Sequence, residues 1–223
     1  KKKILLITTG GTIASVNTDA GLVPAGSEIL QNEIAHLRAY YDIEVCDLMR
    51  LDSSNIQPEE WVKIAHCVFE HRTGADGIVI THGTDTMAYT SSILSFMLRN
   101  IDIPVVLTGA QLPMQNPISD AFDNLRTAFL MAASGRAGVF VAFDRQVMLG
   151  CRAVQVRAES FDAFESVNRR YAARVTTGGL VVDEEVLPHA HGVPALCDRV
   201  STDVFLIKLT PGLSPRVFDA LCE

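Results

Sequence analysis

Two clusters of hydroxyl-bearing residues and glycines directly follow apolar runs in this sequence. "TTGGTIAS" comes after a run that ends at Ile7, and "THGTDTM" comes after a run that ends at Ile80. A third segment, "LDSSNIQ", places Asp52, Ser53 and Ser54 after another apolar run. Any one of them would pass as an ordinary turn, because Ser, Thr, Asp and Gly are common turn residues. Three such clusters together indicate a site built at strand ends.

The chemistry that these residues favour is nucleophilic attack by a threonine hydroxyl. A hydroxyl is a poor nucleophile unless a base or a positioned hydrogen-bond network takes its proton. Thr12 lies beside Gly11, and adjacent glycines let backbone amides approach an oxyanion closely. Thr84 and Asp85 come from another strand end and add a second hydroxyl and a carboxylate. His82 is a candidate general base, although a structural hydrogen bond is an equally good interpretation of its position at the strand end.

Other kinds of site fit less well. A dinucleotide site needs G-x-G-x-x-G after the first strand, and a P-loop needs a lysine, whereas "TGGTIAS" has neither. A phosphate cradle made of backbone amides stays possible on a weak signal. A zinc site needs four converging ligands, but the five cysteines show no C-x-x-C spacing, and His189 and His191 form an isolated pair. We therefore predict no metal site.

Alternating strand and helix patterns must position the three clusters. Continuous β-branched runs predict strands at residues 3–8, 43–48, 77–81, 105–108 and 138–142. Helical patterns at 27–39, 58–69, 85–99 and 119–133 lie between them, the last with Ser119 or Asp120 as its cap. The alternation predicts an α/β fold with a doubly wound, mainly parallel sheet. In such sheets ligands bind beyond the carboxyl ends of the strands, where the connection direction reverses.

The alternation fades after residue 142. "QVMLGCRAVQVRAES" predicts a hairpin-like or irregular strand pair around Gly150, and "FDAFESVNRRY" with the following stretch to Pro194 predicts a linker. A strand at 204–209 and a helix from Pro215 predict the start of a smaller C-terminal α/β domain. A lone strand and half a helix cannot bury a core, so we expect the first part of a longer chain. The expected organisation is an N-terminal domain over 1–180, a linker over 181–202 and that beginning over 203–223.

Composition bounds the class of protein. The 223 residues are 48% hydrophobic and 20% charged, and the net charge of −7 comes without a basic stripe that would favour nucleic acid. No apolar run approaches the ~20 residues of a membrane span, and no signal peptide precedes the first strand. Cys46, Cys67 and Cys222 lie in apolar-periodic segments and are expected in the core as reduced thiols, which favours the cytoplasm.

The quoted segments, together with "GIVITHGTDTMAYTSSILSFMLRN", "PVVLTGAQLP", "SDAFDNLRTA" and "SFDAFESVN", resemble the bacterial-type L-asparaginases. The likeness is greatest to the cytoplasmic type I and archaeal branch, and it runs along nearly the whole sequence. It implies a large doubly wound N-terminal domain and a smaller C-terminal α/β domain. It also implies hydrolysis of L-asparagine to L-aspartate and ammonia, without a cofactor, in a homodimer or homotetramer.

The resemblance also implies a role for individual residues. Thr12 corresponds to the nucleophile that forms an acyl-enzyme. Thr84 and Asp85 correspond to a second group that orders the hydroxyl and the attacking water, and Asp85 also holds the substrate amino group. Ala110 in "TGAQ" corresponds to a residue whose backbone contacts the side-chain amide. The expected substrate-binding positions are Gly11, Asp52, Ser53, Ser54, Gly83 and Ala110.

Two positions depart from the family pattern. Gln155 stands where the family has a lysine that pairs with the Thr-Asp group, and Leu22 lies near the place of a tyrosine that activates the nucleophile. Arg157 would share a strand face with Gln155 and could supply charge, but an arginine cannot shuttle a proton. Residues 15–26, which contain two glycines and no aromatic residue, predict a loop that is mobile when empty and orders over substrate.

Two alternatives to an asparaginase stay open. The departures at Gln155 and Leu22 are compatible with a catalytically weakened relative that binds asparagine. The same family also includes the amidase subunit of a tRNA-dependent amidotransferase, but those subunits carry an additional N-terminal domain.

Overall fold

The computed structural model describes residues 1–18, 21–24 and 27–222. Along the chain, strands and helices alternate in its first two thirds, and short strands follow. The elements are β1 Lys3–Gly10, β2 Ser15–Thr18, β3 Gly21–Pro24, α1 Gln31–Leu37, β4 Asp42–Leu51, α2 Pro58–His71, β5 Gly77–Thr81, α3 Thr84–Met97, β6 Leu98–Arg99, β7 Pro104–Thr108, α4 Ala121–Ala132, β8 Gly138–Phe143, β9 Gln146–Leu149, β10 Ala153–Gln155, β11 Phe164–Ser166, β12 Ala173–Thr176, β13 Gly179–Val182, β14 Ala195–Leu196 and α5 Arg216–Leu221.

An eight-stranded sheet organises the molecule, in the order β13-β12-β9-β8-β7-β5-β1-β4. The five strands β4, β1, β5, β7 and β8 are parallel, and β9, β12 and β13 extend the sheet with antiparallel pairs. From β1 the chain moves to the edge strand β4 and then returns across β1 to β5. The connection direction therefore reverses between β1 and β5, which is where a doubly wound sheet binds its ligand.

Helices cover both faces of the sheet, because the central strands are apolar on both sides. Every residue of β5 and β7 is buried, as expected for parallel strands between two helical layers. Buried side chains of α1 and α4, such as Ile34 and Phe129, form the core on one face. Buried side chains of α2 and α3, such as Ile64 and Leu94, form the core on the other. The predicted doubly wound, mainly parallel sheet is confirmed.

Local sequence explains where the two helices next to the site begin. Pro58 occupies the first turn of α2, and a capping box joins Gln57 and Glu60. The Gln57 backbone N–H donates to the Glu60 carboxylate at 2.9 Å. That hydrogen bond is the largest influence on Glu60, and it holds the pKa of its carboxyl below the usual value. α3 begins with Gly83 at the N-cap, two residues after β5 ends. The site loops are therefore short and held at both ends.

The predicted helix boundaries shift by a few residues, and the first helix is shorter than expected. Within 27–39 a 3₁₀ turn at Ser27–Leu30 precedes the seven-residue α1. At α4, Asp120 is the N-cap by position, but its carboxylate accepts from the backbone N–H groups of Gln111 and Leu112. The Ser119 hydroxyl accepts from the Ala121 N–H instead. Both predicted cap residues are therefore used, with the cap bond made by Ser119.

The expectations for the region after residue 142 need correction. β9 and β10 are not paired around Gly150: β9 pairs with β8, and β10 pairs with β11. The segment predicted as a linker from "FDAFESVNRRY" onward contributes β11 and then β12 and β13. Within 181–202, β14 pairs with β6, and Asp198 lies 2.9 Å from the His66 Nε2 on α2. The chain here is tied to the domain by backbone pairing that apolar periodicity does not reveal.

The predicted strand at 204–209 is wrong. The structure has no regular element there, and Val204, Phe205 and Leu206 are at least three-quarters exposed. A strand needs a neighbouring strand to take up its backbone hydrogen bonds, and no described strand pairs with this segment. The predicted helix after Pro215 is present as α5. Among the described residues, no helix is both long and apolar enough to span a bilayer.

Candidate active site

Three loops meet at the reversal point of the sheet. They follow β1, β4 and β5, and they enclose a cavity of ≈ 100 Å³. Eight residues line it: Gly11, Thr12, Ser15, Asp52, Ser53, Gly83, Thr84 and Asp85. The structure thus brings together the three clusters that the sequence placed on separate strand ends.

Glycine at two positions allows this convergence. A Cβ atom added to Gly11 would lie 2.4 Å from the Gly83 backbone nitrogen, closer than real Cβ contacts come. A Cβ atom on Gly83 would lie 2.4 Å from the Ser53 hydroxyl oxygen. Gly11 also has φ of 78°, a conformation that side chains disfavour. The backbones of the loops therefore pack directly on one another, and side chains at these positions would separate them.

The loop after β1 is held by its own backbone. The Gly11 N–H donates to the Leu51 carbonyl at 3.1 Å, and the Gly11 carbonyl accepts from the Ser15 hydroxyl at 2.7 Å. The expectation that the glycine amides beside Thr12 serve an oxyanion is therefore not met at Gly11, whose N–H is already used at the end of β4.

The two threonine hydroxyls in the cavity are free to act. Neither Thr12 nor Thr84 makes a side-chain hydrogen bond to another described residue in the structure. Thr84 opens α3, and no side chain caps this helix. The first turn of a helix leaves backbone N–H groups without intrahelical partners, and these carry the positive end of the helix dipole. The cavity thus combines hydroxyls with a helix end that attracts anions.

The charged groups that line the cavity are both acidic. Asp85 follows Thr84 in the first turn of α3 and is exposed. Asp52 caps the 3₁₀ turn after β4, where its carboxylate accepts from the Ser54 backbone N–H at 2.9 Å and from the Ser54 hydroxyl at 2.8 Å. Ser54 acts through this bond and does not itself line the cavity. No cationic side chain is among the eight lining residues.

His82 holds the loop after β5 from beneath. It is fully buried, and its Nδ1 lies 2.8 Å from the Gly83 carbonyl, which can only accept. Nδ1 therefore carries the proton, and Nε2 accepts from the Thr90 hydroxyl at 2.9 Å. Trp61 in turn donates to the Thr90 oxygen at 3.0 Å. Burial lowers the pKa of His82 to about 4, so the ring is neutral. The structural interpretation of His82 is the correct one, because both ring nitrogens are engaged.

Asp47 is a contributor that sequence patterns gave no reason to select. Its carboxylate accepts from the Thr8 hydroxyl at 2.6 Å and from the Ser27 hydroxyl at 3.0 Å and backbone N–H at 3.1 Å. Desolvation alone would raise the pKa of Asp47, but the bonds from Thr8 and Ser27 hold it below the usual value. Asp47 thereby fixes the chain where it returns to the body of the domain.

The segment 15–26 is described only in part. β2 and β3 pair as a hairpin from Ser15↔Pro24 to Thr18↔Gly21. Asp19, Ala20, Ala25 and Gly26 lie outside the described residues, as does the side chain of Leu22. The predicted mobility of this segment and the role of position 22 stay predictions.

Three predicted residues lie apart from the cavity. Ala110 is buried in the core beneath α4 and does not line the cavity. Gln155 ends β10, which packs against α3, and its side-chain nitrogen lies 3.5 Å from the Arg157 carbonyl. Arg157 pairs with Glu165 at 2.8 Å and Asp162 at 3.4 Å. Arg157 is therefore committed to its own hairpin and does not supply charge to the Thr84–Asp85 pair.

Residues 3–187 of the chain match the family described as "Asparaginase, N-terminal". The chain belongs to the asparaginase family. It is 47% identical to the L-asparaginase of Thermococcus kodakarensis over 227 residues, which is 99% of the chain and 68% of that protein. It is 34% identical to L-asparaginase 1 of Escherichia coli, over 97% of the chain and 66% of that protein. The chain spans about two thirds of these relatives.

Solved asparaginase structures share the fold. The thermostable L-asparaginase from Thermococcus kodakarensis superposes with a TM-score of 0.88 at 45% identity, over 98% of this chain and 67% of that one. More distant in the family is a glutamyl-tRNA(Gln) amidotransferase component from Pyrococcus furiosus, 35% identical over 99% of the chain but only 53% of that protein. Within the part of the chain that is described, no group of three or more His, Cys, Asp or Glu residues could hold a metal ion.

Proposed function

We propose that this member of the asparaginase family hydrolyses L-asparagine to L-aspartate and ammonia, with Thr12 as nucleophile. The observation that carries the proposal is that Thr12 and the Thr84–Asp85 pair line one cavity from two neighbouring strand ends, with Asp52 and Ser53 on its third side. The names of the relatives support the amide substrate. The geometry supports the division of labour among the residues.

The substrate is a zwitterion, and the cavity offers partners for both of its charges. Asp85 takes the α-amino group, because a buried ammonium must be paired with a carboxylate. The first turn of α3 and the Ser53 hydroxyl take the α-carboxylate, since helix N-termini bind anions. This arrangement directs the side-chain amide towards Thr12. Binding through Asp52 is indirect, because its carboxylate orders Ser54 and the turn.

The reaction then proceeds through a covalent intermediate. The Thr12 oxygen attacks the amide carbon, ammonia leaves, and an ester links the acyl group to Thr12. Water hydrolyses the ester and releases aspartate. His82 takes no part in proton transfer, because it is buried and both of its nitrogens are engaged. The Thr84–Asp85 pair orders the hydroxyl and the water, and a homodimer or homotetramer in the cytoplasm is the assembly that the resemblance favours.

The test is ammonia release from L-asparagine, L-glutamine and D-asparagine by the full-length protein. We expect hydrolysis of L-asparagine and its loss in Thr12→Ala, while Thr73→Ala, an exposed threonine far from the cavity, retains it. Binding of L-asparagine without ammonia release would instead favour the weakened relative. Activity only with a tRNA-dependent partner would favour the amidotransferase role.

A further inference from the structure

A pair of thiols outside the site faces each other between the sheet and α2. The Sγ atoms of Cys46 and Cys67 are 3.9 Å apart. Cys46 lies on β4 opposite Ile7 of β1, and Cys67 lies on the buried side of α2. The other three cysteines, Cys151, Cys197 and Cys222, are exposed. The expected core position is thus correct for Cys67 and wrong for Cys222, while Cys46 is partly exposed.

We propose that Cys46 and Cys67 form a dithiol that a small-molecule disulfide oxidises reversibly to an intrachain disulfide, joining α2 to the edge of the sheet. Thiols in contact can reach the ~2 Å of an S–S bond by changing side-chain torsions. β4 is the edge strand and pairs only with β1, so it can adjust to the bond more readily than a central strand.

The exposure of the two thiols sets the order of events. Cys46 is partly exposed, whereas Cys67 is only 7% exposed. The Cys46 thiolate attacks a sulfur of the small disulfide, forms a mixed disulfide and releases one thiol. Cys67 then loses its proton to solvent base and attacks the Cys46 sulfur, which releases the second thiol. Two cysteines give up two electrons and two protons, and one small disulfide becomes two thiols.

The surroundings of Cys67 make the closing step dependent on pH. Burial raises the pKa of the Cys67 thiol to about 12, and the nearby Cys46 and Glu70 add to the effect. The His71 Nδ1 is 4.0 Å from this sulfur but lies 2.8 Å from the Cys67 carbonyl, to which it donates. That nitrogen therefore cannot accept the thiol proton. Closure should accelerate about tenfold per pH unit well above the usual thiol pKa.

The position of the pair connects it to the site. The segment between the two cysteines, with a sequence separation of 21, carries Asp52 and Ser53 at the cavity and the capping box of α2. A disulfide would close this segment into a covalent loop. Closing a loop of this size should raise the midpoint of thermal unfolding by about 5–10 °C.

The test uses the full-length protein with Cys151→Ser, Cys197→Ser and Cys222→Ser, so that only the facing pair remains. The protein is incubated, folded, with glutathione disulfide, then alkylated and digested with trypsin without reduction. We expect the peptides 39–50 and 64–72 to be linked, the midpoint to rise, and a reductant to reverse both. The linked peptide should be absent when Cys46→Ser or Cys67→Ala is added.

The rate of linkage supplies a second criterion that needs no variant of the pair. In the folded protein it should keep rising through about pH 9.5, whereas an ordinary thiol levels off near its pKa of about 8.5. A glutathione adduct that persists on Cys46, linkage only after unfolding in urea, or unchanged alkylation of both peptides would overturn the proposal.

Discussion

Acidification should destabilise the protein through one buried side chain, His82. Its ring is fully buried and neutral, with both nitrogens in hydrogen bonds to Gly83 and Thr90. Burial lowers the pKa of His82 to about 4, against 6.5 for an unperturbed histidine. Below about pH 6.5 the unfolded chain takes up a proton that the folded protein refuses. The stabilisation is therefore complete above that pH and is lost as the pH falls towards about 4.

The size of the effect follows from the two pKa values. Each pKa unit corresponds to about 1.4 kcal/mol, so the difference of about 2.5 units gives about 3 kcal/mol of unfolding free energy. For a chain of this length that corresponds to a fall of about 10 °C in the unfolding midpoint. Carboxylates with lowered pKa values, such as Asp47 and Asp76, lose their stabilisation at lower pH. Most of the change above about pH 5 therefore belongs to His82.

The assay is the midpoint of urea or thermal unfolding across pH 7.5 to about 4.5, for the wild type and His82→Gln. The variant is expected to be less stable at neutral pH, because it loses two hydrogen bonds, but its midpoint should change much less with pH. His191→Gln, at an exposed histidine, should keep the wild-type slope. Equal slopes in the wild type and His82→Gln would refute the assignment of a buried, neutral His82.

Three further changes test the site and its support. Gly11→Ala should abolish activity without removing a functional group, because its Cβ would meet the Gly83 nitrogen at 2.4 Å, whereas Gly74→Ala, with open space around it, should be neutral; kcat/KM and the unfolding midpoint of both variants check this. Thr81→Val should stabilise the protein by about 1 kcal/mol in urea unfolding, because the buried Thr81 hydroxyl has no partner among the described residues, whereas Thr8→Val in the same row should destabilise it by a similar amount through the lost bond to Asp47. Gln155→Lys should raise kcat for asparagine, by about tenfold or more if the ammonium serves the Thr84–Asp85 pair, since Arg157 is committed to Glu165; a flat or lower kcat across pH 6 to about 9 in a folded variant would contradict it.

Much of the fold follows from the sequence because parallel strands buried on both faces need continuous apolar runs. The runs before Thr9 and Thr81 locate β1 and β5, and their polar ends locate the cavity. The support of the cavity does not follow in the same way. Asp47 reaches Ser27, and Thr90 reaches His82, through contacts that no local pattern encodes. The failed strand at 204–209 has the same origin, since β propensity describes a segment and not the neighbour that it needs.

The proposed mechanism depends above all on Thr12, and not Thr84, carrying the acyl group. The direct measurement is an acid-quenched turnover of L-asparagine by the full-length protein, followed by tryptic peptide mapping. The sequence separates the two candidates, because Thr12 falls in peptide 4–38 and Thr84 in peptide 73–99. We predict an aspartyl ester on peptide 4–38, localised to Thr12 by fragmentation and absent in Thr12→Ala. An ester on peptide 73–99, or full turnover by a folded Thr12→Ala protein, would contradict this mechanism.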